Sequence, residues 1–327
     1  GRVIVACAAV TSAAFVLFPI LARDVVSASL LRLVAGFGLA GVYLPGVRVV
    51  GAAATAERRG LAVSAYVSAF YLGSAASLGL TGLMLPLLRW QGAALALGCA
   101  SALAVPLTLW AIPGRTAAGP AVAGILRPAV LKSEPLLRVI VAYTGHAWEL
   151  YVLRGWLAAF LAEVLVRSQG LASVAAVSEA GKWAALMYGL GTVGVWLGGW
   201  LSDRIGRARA AMLLAAGSGI LSLLFGFLGG GGWMLLLAAG CVYGILTAGD
   251  SGIYSTAVTE LAPADQIGSA QAMQAGLGFF AGAVSPVAAG AILDMGGGFG
   301  GAFVMAGLAS LLAAAVLVPL ARRQETR

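Results

Sequence analysis

Long apolar stretches dominate the chain, and short polar breaks separate them. Each stretch has about 20–28 residues, enough to cross a ~30 Å hydrocarbon layer. Continuous apolar runs predict helices, because the strands of a membrane barrel would alternate apolar and polar positions. The pattern therefore predicts an all-α membrane protein with ten spans, at residues 3–22, 26–50, 61–88, 91–112, 136–166, 181–202, 208–228, 233–258, 268–292 and 299–321.

Composition leads to the same class of protein. Hydrophobic residues make up 61% of the chain and charged residues 10%, whereas a soluble domain carries roughly 25% charged residues. A large soluble protein with buried helices would need more polar residues than these to cover its surface.

A net charge of +8 is typical of proteins that bind nucleic acid, but the distribution of the charges argues against such a partner. If the turn around Asp203 faces the cytoplasm, four Lys and Arg residues fall outside: Arg23, Arg89, Arg167 and Lys182. Thirteen fall inside: Arg2, Arg58, Arg59, Arg115, Arg127, Lys132, Arg138, Arg204, Arg207, Arg209, Arg322, Arg323 and Arg327. The positive-inside rule then predicts an inner-membrane protein, bacterial by its Ala-, Gly- and Arg-rich composition, with both termini in the cytoplasm.

One charged turn between two spans carries a long motif. It reads Gly199-Trp200-Leu201-Ser202-Asp203-Arg204-Ile205-Gly206-Arg207-Ala208-Arg209. This string resembles the loop signature of the major facilitator superfamily of transporters. The resemblance implies two bundles of six helices and a cytoplasmic gate to which this turn contributes Gly199, Asp203, Arg204, Gly206 and Arg207.

A polar break divides four spans from six. The predicted organisation is an incomplete N-terminal bundle at 1–112, a cytoplasmic linker at 113–135 and a six-helix bundle at 136–327. A shift of 205 residues places Gly1-Arg2 on Gly206-Arg207, which favours two related halves. Since the resembled family has twelve helices, ten spans predict that two helices precede this chain.

The span 136–166 is the most polar of the ten and contains Tyr143, His146, Glu149 and Arg154. At 100° per residue, Tyr143, His146 and Arg154 share one face of a helix. Glu149 lies about 140° from Arg154, so each needs a partner on another helix or water. Charged groups inside a membrane are costly, and this cluster is the predicted site of substrate binding or proton coupling.

Arg32 begins the string Arg32-Leu33-Val34-Ala35-Gly36-Phe37-Gly38. It resembles an Arg-x-x-x-Gly-x-Gly element of the same superfamily, which implies a role in proton coupling or substrate binding. An Arg this close to the end of a span can also extend its charge to the interface, and both interpretations stay open.

Asp250 lies in the span 233–258, toward its cytoplasmic end. A carboxylate at that depth needs a partner or water. Its depth favours a pair with Arg204 or Arg207 that braces the closed gate, and the alternative is a protonatable coupling site.

Small residues recur every fourth position in the span 268–292, at Gly278, Gly282, Pro286 and Gly290. This stripe predicts close helix packing. It is similar to the Gly/Pro element of drug–proton antiporters, but that element belongs to the family's fifth helix. The corresponding stretch 73–77 has no Pro, which weakens a drug-efflux assignment.

Other motifs give no reason to expect a cofactor or a metal. The string Gly189-x-Gly191-x-x-Gly194 matches a dinucleotide-binding pattern, but it lies within a span and predicts helix packing instead. Cys7, Cys99 and Cys241 lie far apart without metal-ligand spacing.

The resemblance to the major facilitator superfamily implies a secondary transporter with a site near mid-membrane between two bundles, which we expect the span 136–166 to line. Embedded cations suit a small organic or inorganic anion, with protons as the coupling ion. The expected partners are this solute, protons and membrane lipid, and the expected state is a monomer. The alternatives are an efflux antiporter for amphipathic compounds, an integral-membrane enzyme and a non-transporting sensor, and we expect no enzymatic activity.

Overall fold

The computed structural model describes residues 1–53, 55, 59–112, 130–263 and 265–325. The chain divides into two compact units, Gly1–Pro120 and Ala121–Arg327, and each is described by itself. Every regular element in the described ranges is a helix, which confirms the all-α prediction. Of the predicted linker 113–135, residues 113–129 lie outside the described part of the chain.

The described residues of the first unit form four helices, and the other three pack around the first. They are α1 (Arg2–Leu21), α2 (Val25–Ala53), α3 (Arg59–Ala102) and α4 (Ala104–Ala111). Helix α3 is really two helices, because the backbone leaves the helical region at Arg89 (φ 55°, ψ 176°). The predicted spans 61–88 and 91–112 correspond to the parts of α3 and α4 on either side of this kink.

In its described residues the second unit has seven helices, and α5 is the central one. They are α5 (Glu134–Gln169), α6 (Ser173–Ile205), α7 (Arg207–Phe225), α8 (Trp233–Gly249), α9 (Ser251–Leu261), α10 (Ile267–Asp294) and α11 (Gly298–Glu325), with 3-10 turns at Val130–Lys132 and Leu228–Gly230. Local signals set the ends of α5: Pro135 lies in its first turn, and Gly170 ends it in the left-handed conformation (φ 64°).

Eight helical stretches in the described ranges are long and apolar enough to cross a membrane. One of them, Ser68–Ala111, holds two of the predicted spans, which accounts for part of the difference from ten. Helix α5 is not among the eight, although its 36 residues are ample. Its middle carries His146, Glu149 and Arg154, and these side chains lower its mean hydropathy.

Helices α5 and α10 pack closely along the predicted stripe of small residues. Aromatic rings of α5 lie against the glycines of α10: Tyr143 on Gly278, Tyr151 on Gly282 and Trp156 on Gly290. The indole Nε1 of Trp156 also donates a hydrogen bond to the carbonyl oxygen of Pro286, at 2.9 Å. The stripe is a packing surface, as predicted.

Glycines also bring α6 and α8 into backbone contact. A Cβ atom at Gly194 would collide with the carbonyl of Ile245, and one at Gly198 with the carbonyl of Gly249. Gly194 ends the string that imitates a dinucleotide-binding motif, and its place in this contact confirms the packing interpretation. The second contact lies directly beside Asp250.

Candidate functional site

The predicted span 233–258 has a one-residue break at Asp250, between α8 and α9, where the backbone keeps right-handed helical angles (φ −88°, ψ −12°). The sequence around the break is Gly249-Asp250-Ser251-Gly252, four residues that are poor helix formers compared with Ala or Leu. Asp250 itself is 1% exposed. Interrupted membrane helices with a charged residue at the break commonly form the binding or coupling sites of transporters.

His146 of α5 pairs with this buried carboxylate. Its Nδ1 atom lies 2.8 Å from Oδ1 of Asp250, and the His146 side chain is 2% exposed. Its Nε2 atom lies 3.0 Å from the hydroxyl of Ser251. The hydroxyl of Tyr254, one turn along α9, donates to Oδ2 of Asp250 at 2.9 Å. The pair thereby joins α5 to the α8–α9 break.

These contacts correct the predicted partner of Asp250. The sequence favoured Arg204 or Arg207 because Asp250 lies toward the cytoplasmic end of its span. In the structure, the carboxylate faces α5 and contacts His146 and Tyr254. The arginines of the Asp203 turn have other partners. Depth along a helix could not show in which direction the side chain points.

Tyrosine rings surround the imidazole of His146. The ring centroids of Tyr143 and Tyr254 lie 5.9 and 5.4 Å from that of His146, and 5.8 Å from each other. The predicted shared face of Tyr143 and His146 is therefore a contact between their rings. Aromatic packing of this kind restricts the imidazole to one orientation.

Glu149 is fully buried on another face of α5. Its Oε2 atom accepts a hydrogen bond from Ser218 of α7 at 2.8 Å. Ser218 in turn lies 3.1 Å from the hydroxyl of Ser310 on α11, and Ser310 donates to the carbonyl of Ala215. The expectation that Glu149 finds a partner on another helix is confirmed.

Arg154 and Arg32 both lie near aromatic rings. The guanidinium carbon of Arg154, a partly buried residue, is 5.8 Å from the ring centroid of Tyr151. Arg32 belongs to the first unit, where its guanidinium carbon lies 4.4 Å from the centroid of Phe18. Both contacts are within the range of a cation–π interaction.

Arg207 holds the Asp203 turn together. Its guanidinium pairs with Asp203, donates to the hydroxyl of Ser202 at 2.7 Å, and lies 3.1 Å from Oε1 of Glu260. Gly206, at φ 90°, links α6 to α7 and allows this tight turn. The Asp203–Arg207–Glu260 contact, here called the clamp, ties the turn to the end of α9.

The other two residues of the motif have different environments. The guanidinium carbon of Arg204 lies 4.0 Å from the ring centroid of Trp200. A Cβ atom at Gly199 would meet no atom within 4 Å, so the structure gives no packing reason for this glycine.

Sequence reasoning missed Glu260, Ser251 and Ser218. An acidic residue at the end of a span was a usable signal for Glu260, because it lies at the same predicted side as the arginine-rich turn. The two serines gave no signal, since Ser is common in packed membrane helices. Within the described ranges, no group of three or more His, Cys, Asp and Glu side chains is placed to hold a metal ion.

Comparison with known proteins gives related results at three levels. Residues 172–327 match the family model of the Major Facilitator Superfamily. A "Putative metabolite transport protein" of Haemophilus influenzae is 27% identical over 161 residues, which are 49% of this chain and 37% of that protein. The chain thus matches well under two thirds of this relative's length.

Solved structures show the same fold. A bacterial homolog of the human lysosomal transporter Spinster, inward-facing and unoccupied, has a TM-score of 0.68 at 15% identity, with 99% of this chain and 83% of that chain covered. The Escherichia coli fucose:proton symporter has a TM-score of 0.67 at 12% identity, with the same coverage.

Proposed function

We propose that this chain, whose residues 172–327 match the family model of the Major Facilitator Superfamily, is a transporter of that superfamily and moves a small solute across a bacterial inner membrane by alternating access. The proposal rests on the His146–Asp250 pair, buried at a break in a membrane helix. A pair of ionisable side chains at that position is costly and has a clear use in a transporter. The metabolite-transport name of the Haemophilus influenzae relative supports a solute of low molecular mass.

The proposed solute is a small organic or inorganic anion. Arg154 supports this, because its guanidinium is partly buried on α5, the same helix that carries His146. A guanidinium binds a carboxylate or phosphate through two parallel hydrogen bonds and cannot lose its charge. Arg32 is the corresponding candidate in the first unit.

The proposed coupling ion is the proton. His146, Asp250 and Glu149 are the candidate carriers, since each is buried and each exchanges protons in some environment. The fucose:proton symporter, which shares the fold, supports proton coupling in principle.

The proposed role of the clamp is to hold the cytoplasmic gate. Arg207 ties the α6–α7 turn to Glu260, and α9 connects Glu260 to the break at Asp250. The clamp thus replaces the brace that the sequence assigned to Asp250.

Counterflow in proteoliposomes tests the function and the solute class together. Vesicles loaded with unlabelled monocarboxylates, dicarboxylates, phosphate or monosaccharides are diluted into labelled solute of the same kind. We expect accumulation of an anion, and a loss of at least about tenfold in Arg154→Gln, because a charged hydrogen bond of about 1.5–3 kcal/mol is removed. Arg167→Gln is the matched control, since Arg167 is an exposed residue of α5 paired with Glu163.

Three results would contradict parts of this proposal. Counterflow of monosaccharides alone would refute the anion. Resistance to amphipathic drugs, without counterflow of any solute in the panel, would favour the efflux antiporter. Absence of both activities in folded protein would favour a sensor.

A further inference from the structure

Helix α9 has one buried face and one exposed polar face. Its buried side chains are Ile253, Tyr254, Ala257 and Val258. Its exposed side chains include Ser255, Thr256 and Thr259. A helix that crosses lipid normally exposes apolar side chains, so a hydroxyl-bearing exposed face indicates contact with water inside a protein path.

Amides of α10 extend this polar surface. Nε2 of Gln271, an exposed side chain, donates to Oγ1 of Thr259 at 3.1 Å. Nε2 of Gln274 lies 3.4 Å from Oγ of Ser255. In lipid, the hydroxyl groups of serine and threonine can donate a hydrogen bond to a backbone carbonyl of their own helix. An exposed side-chain amide cannot do so as easily. We call Ser255, Thr256 and Thr259 of α9, together with Gln271 of α10, the α9 polar face.

The two ends of this face differ. At one end, Glu260 binds Arg207 of the clamp, which belongs to the Asp203 turn. At the other end, Ser251 is partly exposed and its hydroxyl lies 3.0 Å from Nε2 of His146. Ser251 therefore connects the exposed face to the imidazole, which is itself 2% exposed.

The polar neighbours of His146 guide the assignment of its proton. With Oδ1 of Asp250 2.8 Å from Nδ1, we assign the proton of neutral His146 to Nδ1. Nε2 is then an acceptor and receives the Ser251 hydroxyl proton. An incoming proton can reach the imidazole at Nε2, and Ser251 occupies that position.

We propose that Ser251 is the proton access point of the His146–Asp250 pair, reached by water along the α9 polar face from the side of the Asp203 turn. In this step a hydronium ion transfers a proton to Oγ of Ser251 as the hydroxyl proton of Ser251 moves to Nε2 of His146. The imidazolium keeps its Nδ1 proton facing Asp250, and one water molecule is left. This inference rests on the proposed proton coupling and names the path.

Other titratable groups lie close to the pair. Tyr143 of α5 and Tyr254 of α9 contact the imidazole, and Tyr254 donates to Asp250. Glu149, one turn from His146 on α5, also interacts electrostatically with both members of the pair. Because these groups can also titrate, a change in the pH dependence of the reactivity at residue 251 is assigned to Ser251 and His146 only when variants of both residues are compared.

Thiol chemistry tests the proposal without a known solute. Cys7, Cys99 and Cys241 are first replaced by Ala, and Ser251→Cys is introduced with or without His146→Gln. A charged, membrane-impermeant methanethiosulfonate is added to sealed vesicles of each orientation. Thr256→Cys is the control for the polar face, and Phe280→Cys, at a position that is 68% exposed and apolar, is the control for lipid.

We expect Ser251→Cys to react from the side of the Asp203 turn. At pH 6 it should react about tenfold faster than Thr256→Cys, because a neighbouring imidazole increases the thiolate fraction. His146→Gln should remove this excess, and Phe280→Cys should react only with a membrane-permeant maleimide. Ser255→Cys and Thr259→Cys test the water path separately if Ser251→Cys does not fold.

Two results overturn the proposal. One is a reaction at residues 251, 255 and 259 that needs a membrane-permeant reagent, which would place the face in lipid. The other is a fast reaction at residue 251 that does not change in His146→Gln. Both leave solute counterflow untouched, so failure here is distinguishable from failure of the transport function.

Discussion

His146 and Asp250 form a close pair, 2.8 Å apart, that is almost completely shielded from solvent. Burying two ionisable groups costs more than a surface pair, and the cost is offset only if both keep their hydrogen bonds. Ser251 and Tyr254 supply these additional bonds. Removing one partner should therefore be more damaging than breaking an exposed pair.

We expect His146→Gln to lower the free energy of unfolding by about 3 kcal/mol, because Asp250 is left buried without its main partner. The control is Glu163→Gln, which breaks the exposed Glu163–Arg167 pair and should cost less than about 1 kcal/mol. Thermal unfolding in detergent measures both. Equal stability of the two variants would mean that the pair contributes little to folding.

At this scale the sequence predicted contacts within one helix better than contacts between helices. Helical periodicity placed Tyr143 and His146 on one face, and the structure shows their rings in contact. Periodicity within one helix says nothing about other helices, however. Ser218 lies 69 residues from Glu149 in the chain and Ser251 lies 105 from His146, so these contacts depend on tertiary packing.

At the scale of the element, the polar breaks predicted most helix ends within a few residues. Helix α1 covers 2–21 where the sequence predicted 3–22. The break at Asp250 was missed, because Gly249 and Gly252 lie inside an otherwise apolar run and no Pro marks the position. An apolar run reports that a segment can be buried, but not that its backbone is continuous.

The α5–α10 contact provides a test of element packing. Gly282→Ala should lower the free energy of unfolding by about 1–3 kcal/mol, since the new methyl group would meet the ring of Tyr151. Gly276→Ala on the same helix is the control, because its Cβ would meet no atom within 4 Å and Ala favours helix by up to about 1 kcal/mol. Denaturation of both variants shows whether the contact between Gly282 and the ring of Tyr151 is tight or loose. Equal effects would indicate that the ring of Tyr151 moves aside.

For the whole molecule, the repeated spans and the Asp203 motif were sufficient to predict the fold, which the solved relatives share. The reason is that lipid allows few backbone arrangements, so span count and loop charge carry much of the information. The predicted division at 113–135 and the orientation of the termini stay predictions.

Reporter tags test the predicted orientation. A tag inserted within 113–135 should report the cytoplasm, since Arg115, Arg127 and Lys132 make that segment basic. A tag at Gly170, in the exposed turn between α5 and α6, should report the opposite side. Alkaline phosphatase and fluorescent-protein fusions give complementary signals for the two sides. Reversed signals would also move the clamp to the outer face.

The kink at Arg89 limits where residues can be inserted into this helix or deleted from it. The two parts of α3 are joined through this single residue, so they have no slack between them. One inserted residue would rotate everything that follows in the helix by about 100° and advance it by about 1.5 Å. Ala93, now 1% exposed, would turn toward the surface. Insertions and deletions should therefore be rarer at this corner than in any longer loop.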